Sequence, residues 1–392
     1  MKLSNRVTNL SDSVTLQINA KAKLLTSQGK RIINLSAGEP DLDTPKIVRE
    51  KAKEAIDKGY TKYTPVAGIK PLKSAIVKRF KKKYGIILSE DCVLVSTGAK
   101  QAISNIIETL CGPGDEVIIP VPYWASYPET VKISLAEPVF IDTTKTGFTL
   151  TAESLEKAIT ERTKLLILNS PSNPTGAIYP SSLLKEIASI VKEKNILCLS
   201  DEIYDELVYG DEKSNSMLMF TDTPLDNIAV VNGVSKTFSM TGWRLGYAIA
   251  SPPIIKGASK IQAHTTSGAS SISQYAALSA LEDAESFINE IRTIFDKRRK
   301  LVIKLLSGIT DISFVEPKGA FYIFFDVSKF YNEKIKSSVE MAEYLLDSYN
   351  VAIVPGAAFG DDKSLRLSYT LSLENLEEGI ERLKNGFANV HR

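Results

Sequence analysis

Five short, nearly continuous apolar runs, each followed at once by small or polar residues, constrain this chain more than any other feature. Cys92 to Val95 leads into Ser96-Thr97-Gly98-Ala99-Lys100-Gln101, and Val117 to Ile119 into Pro120-Val121-Pro122-Tyr123-Trp124. Leu165 to Leu168 leads into Asn169-Ser170-Pro171-Ser172-Asn173-Pro174-Thr175-Gly176, and Ile196 to Leu199 into Ser200-Asp201-Glu202-Ile203-Tyr204. Ile228 to Val231 leads to Lys236. Runs this short, without polar alternation, read as parallel strands covered on both faces, which predicts an α/β fold. Ligands of open α/β sheets bind beyond the carboxyl ends of the strands, so the five tails are expected to converge on one crevice.

Lys236 stands where the last of these buried strands ends. A lysine amine that is desolvated or crowded by other cations loses basicity and attacks carbonyls to form Schiff bases. Ser235, Ser239 and Arg244 follow closely in Ser235-Lys236-Thr237-Phe238-Ser239-Met240-Thr241-Gly242-Trp243-Arg244, offering the hydroxyls and the cation that a phosphate beside the lysine requires. Taken alone, Lys236 reads as a solvated loop lysine; the other four tails argue for chemistry.

Composition excludes several alternatives. The 392 residues suffice for two domains and a large core. The 48 basic and 46 acidic residues nearly cancel, so neither nucleic acid nor an anionic membrane is an expected partner. The start, Met1-Lys2-Leu3-Ser4-Asn5-Arg6, lacks the apolar stretch of a signal peptide, and no run of about eighteen apolar residues follows, so a soluble cytoplasmic protein is expected. Cys92, Cys111 and Cys198 sit in apolar company and read as core thiols. Of the two histidines, His391 is terminal and His264 is expected in the interior, which leaves no basis for a histidine metal site. No Gly-x-Ser-x-Gly elbow, Walker A loop or Gly-x-Gly-x-x-Gly after a strand is present.

Beyond the strand-rich region, residues 274–306 read as one long helix whose charged run, Asp296-Lys297-Arg298-Arg299-Lys300, is expected to be a solvated face. Strand-like segments follow at Gly319 to Val327, Val351 to Pro355 and Leu365 to Tyr369, then an amphipathic ending from Leu373 to Ala388. This pattern predicts a smaller α+β domain, formed by residues 281–392 together with 1–45, beside a large domain over 46–280. Alternation in Leu365-Arg366-Leu367-Ser368-Tyr369 sends Arg366 and Ser368 to the face opposite the leucines, either to solvent or into a site.

Three motifs in order, Asn173-Pro174-Thr175-Gly176, Asp201-Glu202-Ile203-Tyr204 and the Ser235 to Tyr247 segment, resemble the class I aminotransferases of fold type I, the pyridoxal 5'-phosphate enzymes typified by aspartate aminotransferase. The resemblance extends from Ser36-Ala37-Gly38-Glu39-Pro40-Asp41 to Arg366-Leu367-Ser368-Tyr369. It implies a large domain with a mostly parallel seven-stranded sheet flanked by helices. It further implies transfer of the amino group of L-aspartate, or another amino acid, to 2-oxoglutarate. Lys236 would carry the cofactor and move the substrate proton, and Asp201 would face the ring nitrogen. Tyr204 and Asn173 would bond a ring oxygen, Asn173 would also touch the substrate carboxylate, and Trp124 would stack on the ring. The phosphate would sit on Gly98, Ala99 and Lys100 at a helix N-terminus, with Ser235, Arg244 and a partner subunit's Tyr63, which implies a homodimer with shared sites. Arg366, aided by the backbone of Gly38, would bind the substrate α-carboxylate. Lys100 with Thr15 and Ser13 resembles the prokaryotic subgroup in which a phosphate-loop lysine reads the distal carboxylate. Prephenate or aromatic amino acids, and a lyase that eliminates sulfur from its substrate, remain open, as does a catalytically silent cofactor-binding protein.

Overall fold

The computed structural model describes residues 3–12, 14–221 and 225–390, so Ser13 and His391 lie outside the described residues. In chain order the strands are β1 (Ile33–Asn34), β2 (Val93–Ser96), β3 (Glu116–Val121), β4 (Glu137–Asp142), β5 (Thr163–Asn169), β6 (Leu197–Asp201), β7 (Ile228–Gly233) and β8 (Gly246–Ile249). Then come β9 (Ser313–Phe314), β10 (Tyr322–Asp326), β11 (Val351–Ala352), β12 (Val354–Pro355) and β13 (Ser364–Ser368). The seven-stranded sheet has the order β2-β8-β7-β6-β5-β3-β4. Neighbours from β7 to β4 pair in parallel, whereas β8 runs antiparallel to both β2 and β7.

Each of the five apolar runs forms a strand of this sheet, and the pleat explains why they lack polar alternation. Val93, Val95, Leu166, Leu168, Ile228 and Val230 enter the core on one face. Their neighbours Leu94, Leu165, Ile167, Ala229 and Val231 enter the core on the other. Both faces are covered by helices, so every position must be apolar.

A second core surrounds the antiparallel sheet β12-β13-β10-β9. β1 pairs in parallel with β11, and Ile18, Ile33 and Leu35 share this core with Ile323, Leu365 and Leu383, so the N-terminal segment packs with the C-terminal part. No helix among the described residues is long and apolar enough to cross a membrane. The three cysteines are buried and free, and burial pushes the Cys111 thiol up to about 12.

Three expectations need correction. The long helix is two, Ser271–Asp283 and Glu285–Leu306, because Ala284 takes up φ −109°, ψ 28° with no Gly or Pro to signal the break. The charged run is not a solvated face: Arg298 and Arg299 are each 7% exposed. Arg298 grips Asp41 with both terminal nitrogens, at 2.7 and 2.8 Å, and Arg299 bonds Asp296 and Glu316 at 2.9 and 2.8 Å. Acidic partners, Asp41 and Glu316 from outside the run and Asp296 within it, make burial of both guanidiniums tolerable. We therefore expect Arg298→Ala to lower unfolding free energy by about 3 kcal/mol in urea titrations, and Lys300→Ala, on the exposed side, by less than about 0.5 kcal/mol. Finally, His264 is exposed, because the stripe that its helix Pro252–Thr265 buries runs through Ile255, Ala258 and Gln262.

Candidate active site

The carboxyl ends of β2, β5, β6 and β7 open into one cavity of about 770 Å³. Asp201, the last residue of β6, is 3% exposed and accepts hydrogen bonds from Tyr127 Oη at 2.7 Å and from the Ile203 N–H at 3.2 Å. Desolvation raises its carboxyl to about 6, against the pull of those two donors and of Lys236. One strand over, the Asn169 side chain donates to the Asp201 carbonyl at 3.0 Å, and its Oδ1 accepts from the Asn173 N–H at 2.8 Å. The turn carrying Asn173 is thereby hung from the strand end.

Lys236 follows β7 and turns back under the 38–41 segment, where Nζ donates to the Gly38 carbonyl at 2.5 Å. Burial pushes its ammonium down to about 8; Glu39 opposes this, while Arg366 and Arg244 add to it. The chain then runs through Ser239 and Arg244, both at positive φ (52° and 54°), before entering β8.

Between β2 and the helix Ala99–Leu110, Gly98 takes up φ 82° and makes no side-chain cap, leaving the first amides of that helix free for a ligand. A Cβ on Gly98 would lie 2.6 Å from the Arg244 guanidinium, and one on Gly246 would lie 2.3 Å from the Ala99 nitrogen. Two glycines thus permit a cationic side chain and a helix N-terminus to close on one point.

Arg366, in β13, is 3% exposed, which settles its direction: the leucines face the second core and the guanidinium faces the cavity. It donates to Asn173 Oδ1 at 3.0 Å and to the Ser36 carbonyl at 2.8 Å, while its buried Nε–H has no partner. Its remaining N–H groups form a donor set for an anion. Lys100 lies at the cavity edge, with Nζ 5.0 Å from the Trp124 ring centroid.

Gly38, Ala99, Lys100, Trp124, Asn173, Asp201, Tyr204, Ser235, Lys236, Arg244, Arg366 and Thr15 all line this cavity. Gly98 adjoins it through Arg244. Tyr63 does not line it: it is 97% exposed. Among the lining residues that escape sequence reasoning are Tyr127 and Tyr322. Tyr127 had a signal, the i, i+3 spacing from Trp124 into the helix Ser126–Ile133. Tyr322 had none, because its neighbours depend on the register of β10 against β13.

Known proteins share this frame. In a structure of the Rhizobium meliloti aspartate aminotransferase, 38% identical, 99% of each chain superposes with a TM-score of 0.95. The Thermus thermophilus aspartate aminotransferase with maleate, also 38% identical, superposes with a TM-score of 0.93 over 98% of this chain and all of that one. An aspartate aminotransferase of Bacillus sp. (strain YM-2) is 43% identical over 97% of this chain and 98% of its own length. A probable aspartate/prephenate aminotransferase of Aquifex aeolicus is 42% identical over 99% of both. Residues 30–383 match the sequence model of aminotransferase class I and II, and with it the chain belongs to that family.

Proposed function

We propose that this aminotransferase moves the amino group of L-aspartate to 2-oxoglutarate in a two-stage exchange, and that it does so as a cytoplasmic homodimer. Like its family, the enzyme uses pyridoxal 5'-phosphate. Its residues fit that group. The described partners of Asp201 are neutral donors, so the buried carboxylate gains from a protonated ring nitrogen. Gly98, the amides of Ala99 and Lys100, Ser235 and Arg244 would hold the phosphate, Trp124 would cover the ring, and Tyr204 with Asn173 would bond the ring oxygen. When bound, the cofactor is an electron sink for the pair left at the substrate α-carbon.

The chain's own residues do the rest. Arg366 receives the α-carboxylate on its free N–H groups, beside the backbone of Gly38. Lys236, near 8, is partly neutral at physiological pH and takes the α-proton onto Nζ before returning one. The part formed by residues 1–45 and 281–392 moves as a small domain over the large one at 46–280, expelling water. Tyr63, exposed and not among the residues lining this chain's own cavity, would serve a partner's phosphate.

The observation that carries the aspartate reading is that two of the cations lining the cavity, Arg366 and Lys100, are left over once Lys236 and Arg244 are given to the cofactor, one for each substrate carboxylate; Thr15 lines the same cavity. Stopped-flow absorbance with L-aspartate and no oxo acid tests it. We expect loss of the cofactor's starting band with stoichiometric oxaloacetate. If only L-phenylalanine or arogenate converts the band, the donor is aromatic or of the prephenate type, the second of which the Aquifex relative's name joins to aspartate. Release of ammonia and an oxo acid without an acceptor would indicate elimination instead. A related expectation follows from Lys236: cofactor uptake by the stripped protein should accelerate as pH rises from 6 to 9, with a midpoint at about 8, as neutral amine accumulates.

A further inference from the structure

Tyr322 has no assigned part in the chemistry, yet it touches both ends of it. It is the first residue of β10 and is 1% exposed. Its hydroxyl lies 3.0 Å from that of Tyr204, and the two rings meet edge to face with centroids 5.8 Å apart. Its ring lies under the Arg366 guanidinium, with the central carbon 4.5 Å from the centroid, while Phe359 approaches the same carbon at 5.0 Å. The β10–β13 register produces this contact: Tyr322 pairs with Ser368 and Phe324 with Arg366, which makes Tyr322 and Arg366 diagonal neighbours. A Cβ on Gly38 would stand 3.8 Å from the Tyr322 hydroxyl, so the segment that receives Lys236 rests there as well.

We propose that Tyr322 is a positioning residue that ties Arg366 to Tyr204, its ring fixing the plane of the guanidinium and its hydroxyl fixing the direction of the Tyr204 proton. The proposal rests on the reading that Arg366 binds the substrate carboxylate and Tyr204 the cofactor oxygen. The asymmetry of the site supports it. Asn173 and Ser36 hold the terminal nitrogens of Arg366 but do not define its tilt; an aromatic face beneath the guanidinium does. The two hydroxyls share one hydrogen bond in a dry place. For Tyr204 to donate into the cavity, Tyr322 must be the donor between them, and a hydroxyl that accepts one hydrogen bond donates the next more strongly. Phenylalanine would supply the ring without this second function.

Two substitutions separate the functions. In the holoenzyme, binding of the unreactive carboxylates maleate and 3-phenylpropionate is followed by cofactor absorbance, using whichever binds the parent more tightly. Tyr322→Leu should weaken that binding roughly tenfold, and Tyr322→Phe should restore it to within about twofold of the parent. Tyr322→Phe should also raise the pH midpoint of the unliganded cofactor's absorbance change by about half a unit, the size of one modest hydrogen bond. If Tyr322→Leu fails to fold, the midpoint of Tyr322→Phe decides. Parent-like binding by Tyr322→Leu, or an unmoved midpoint in Tyr322→Phe, overturns the proposal. Arg366→Lys is the control: if it binds carboxylates as the parent does, the assignment of Arg366 has failed; if it binds weakly while Tyr322→Leu does not, only Tyr322 has.

Discussion

Replacing Lys236 with alanine lowers kcat about ten-thousandfold, the upper range for removal of a positioned acid–base group. The expectation rests on burial, the nearby cations Arg366 and Arg244, and the Gly38 carbonyl that orients Nζ. The described residues offer no second amine so placed: Lys100 lies at the cavity edge against Trp124. Steady-state amino transfer measures the loss. Borohydride treatment supplies an independent reading, since it should fix the cofactor to the parent protein and not to the variant. A residual rate within a hundredfold of the parent would remove Lys236 from the proton's path.

Arg366→Ala is expected to lower kcat/KM about a thousandfold, mostly through KM. Two charge-assisted hydrogen bonds to a carboxylate, worth together about 4 kcal/mol, set that scale. The variant also strands Asn173 Oδ1 and the Ser36 carbonyl, which lose their donor in a dry pocket. A loss below tenfold, with carboxylate binding intact, would mean that the substrate's acid group is held elsewhere.

Strands buried on both faces were readable because each is an apolar run. β4 escaped because it is the edge strand and half-exposed: Glu137, Phe140 and Asp142 are exposed, breaking the apolar signal. β8, Gly246–Ile249, was hidden because it begins inside the segment read for its lysine and arginine. The helix break at Ala284 has no local marker, and the burial of Arg298 depends on Asp41, more than two hundred residues earlier in the chain. Cavity-lining residues were legible where a polar side chain interrupts apolar company at or just after a strand end, as Asp201 and Lys236 do. Tyr322 was not, because an aromatic side chain in apolar company is ordinarily core, and Tyr127 carried only its spacing from Trp124. Only the distances to Asp201, Tyr204 and Arg366 give them a part in the site.

The reversal of β8 has a consequence for what can move. In a purely parallel sheet, a strand's entry and exit lie at opposite rims, and the link between neighbours is a helix crossing the whole layer. Because β8 descends beside β7, the stretch between them leaves and re-enters at the same rim, with Lys236 and Arg244 both on it. Gly233 pairs with Gly246 at its base, and Thr44 and Glu39 pin it from above through Ser239 and Thr241. Lys236 and Arg244, the proposed nucleophile and anion clamp, therefore sit on one hairpin whose two ends the sheet fixes to each other. In the proposed closure, motion that brings Arg366 nearer to a ligand would change the distance across the cavity, while the spacing between Lys236 and Arg244 stays set by their shared hairpin.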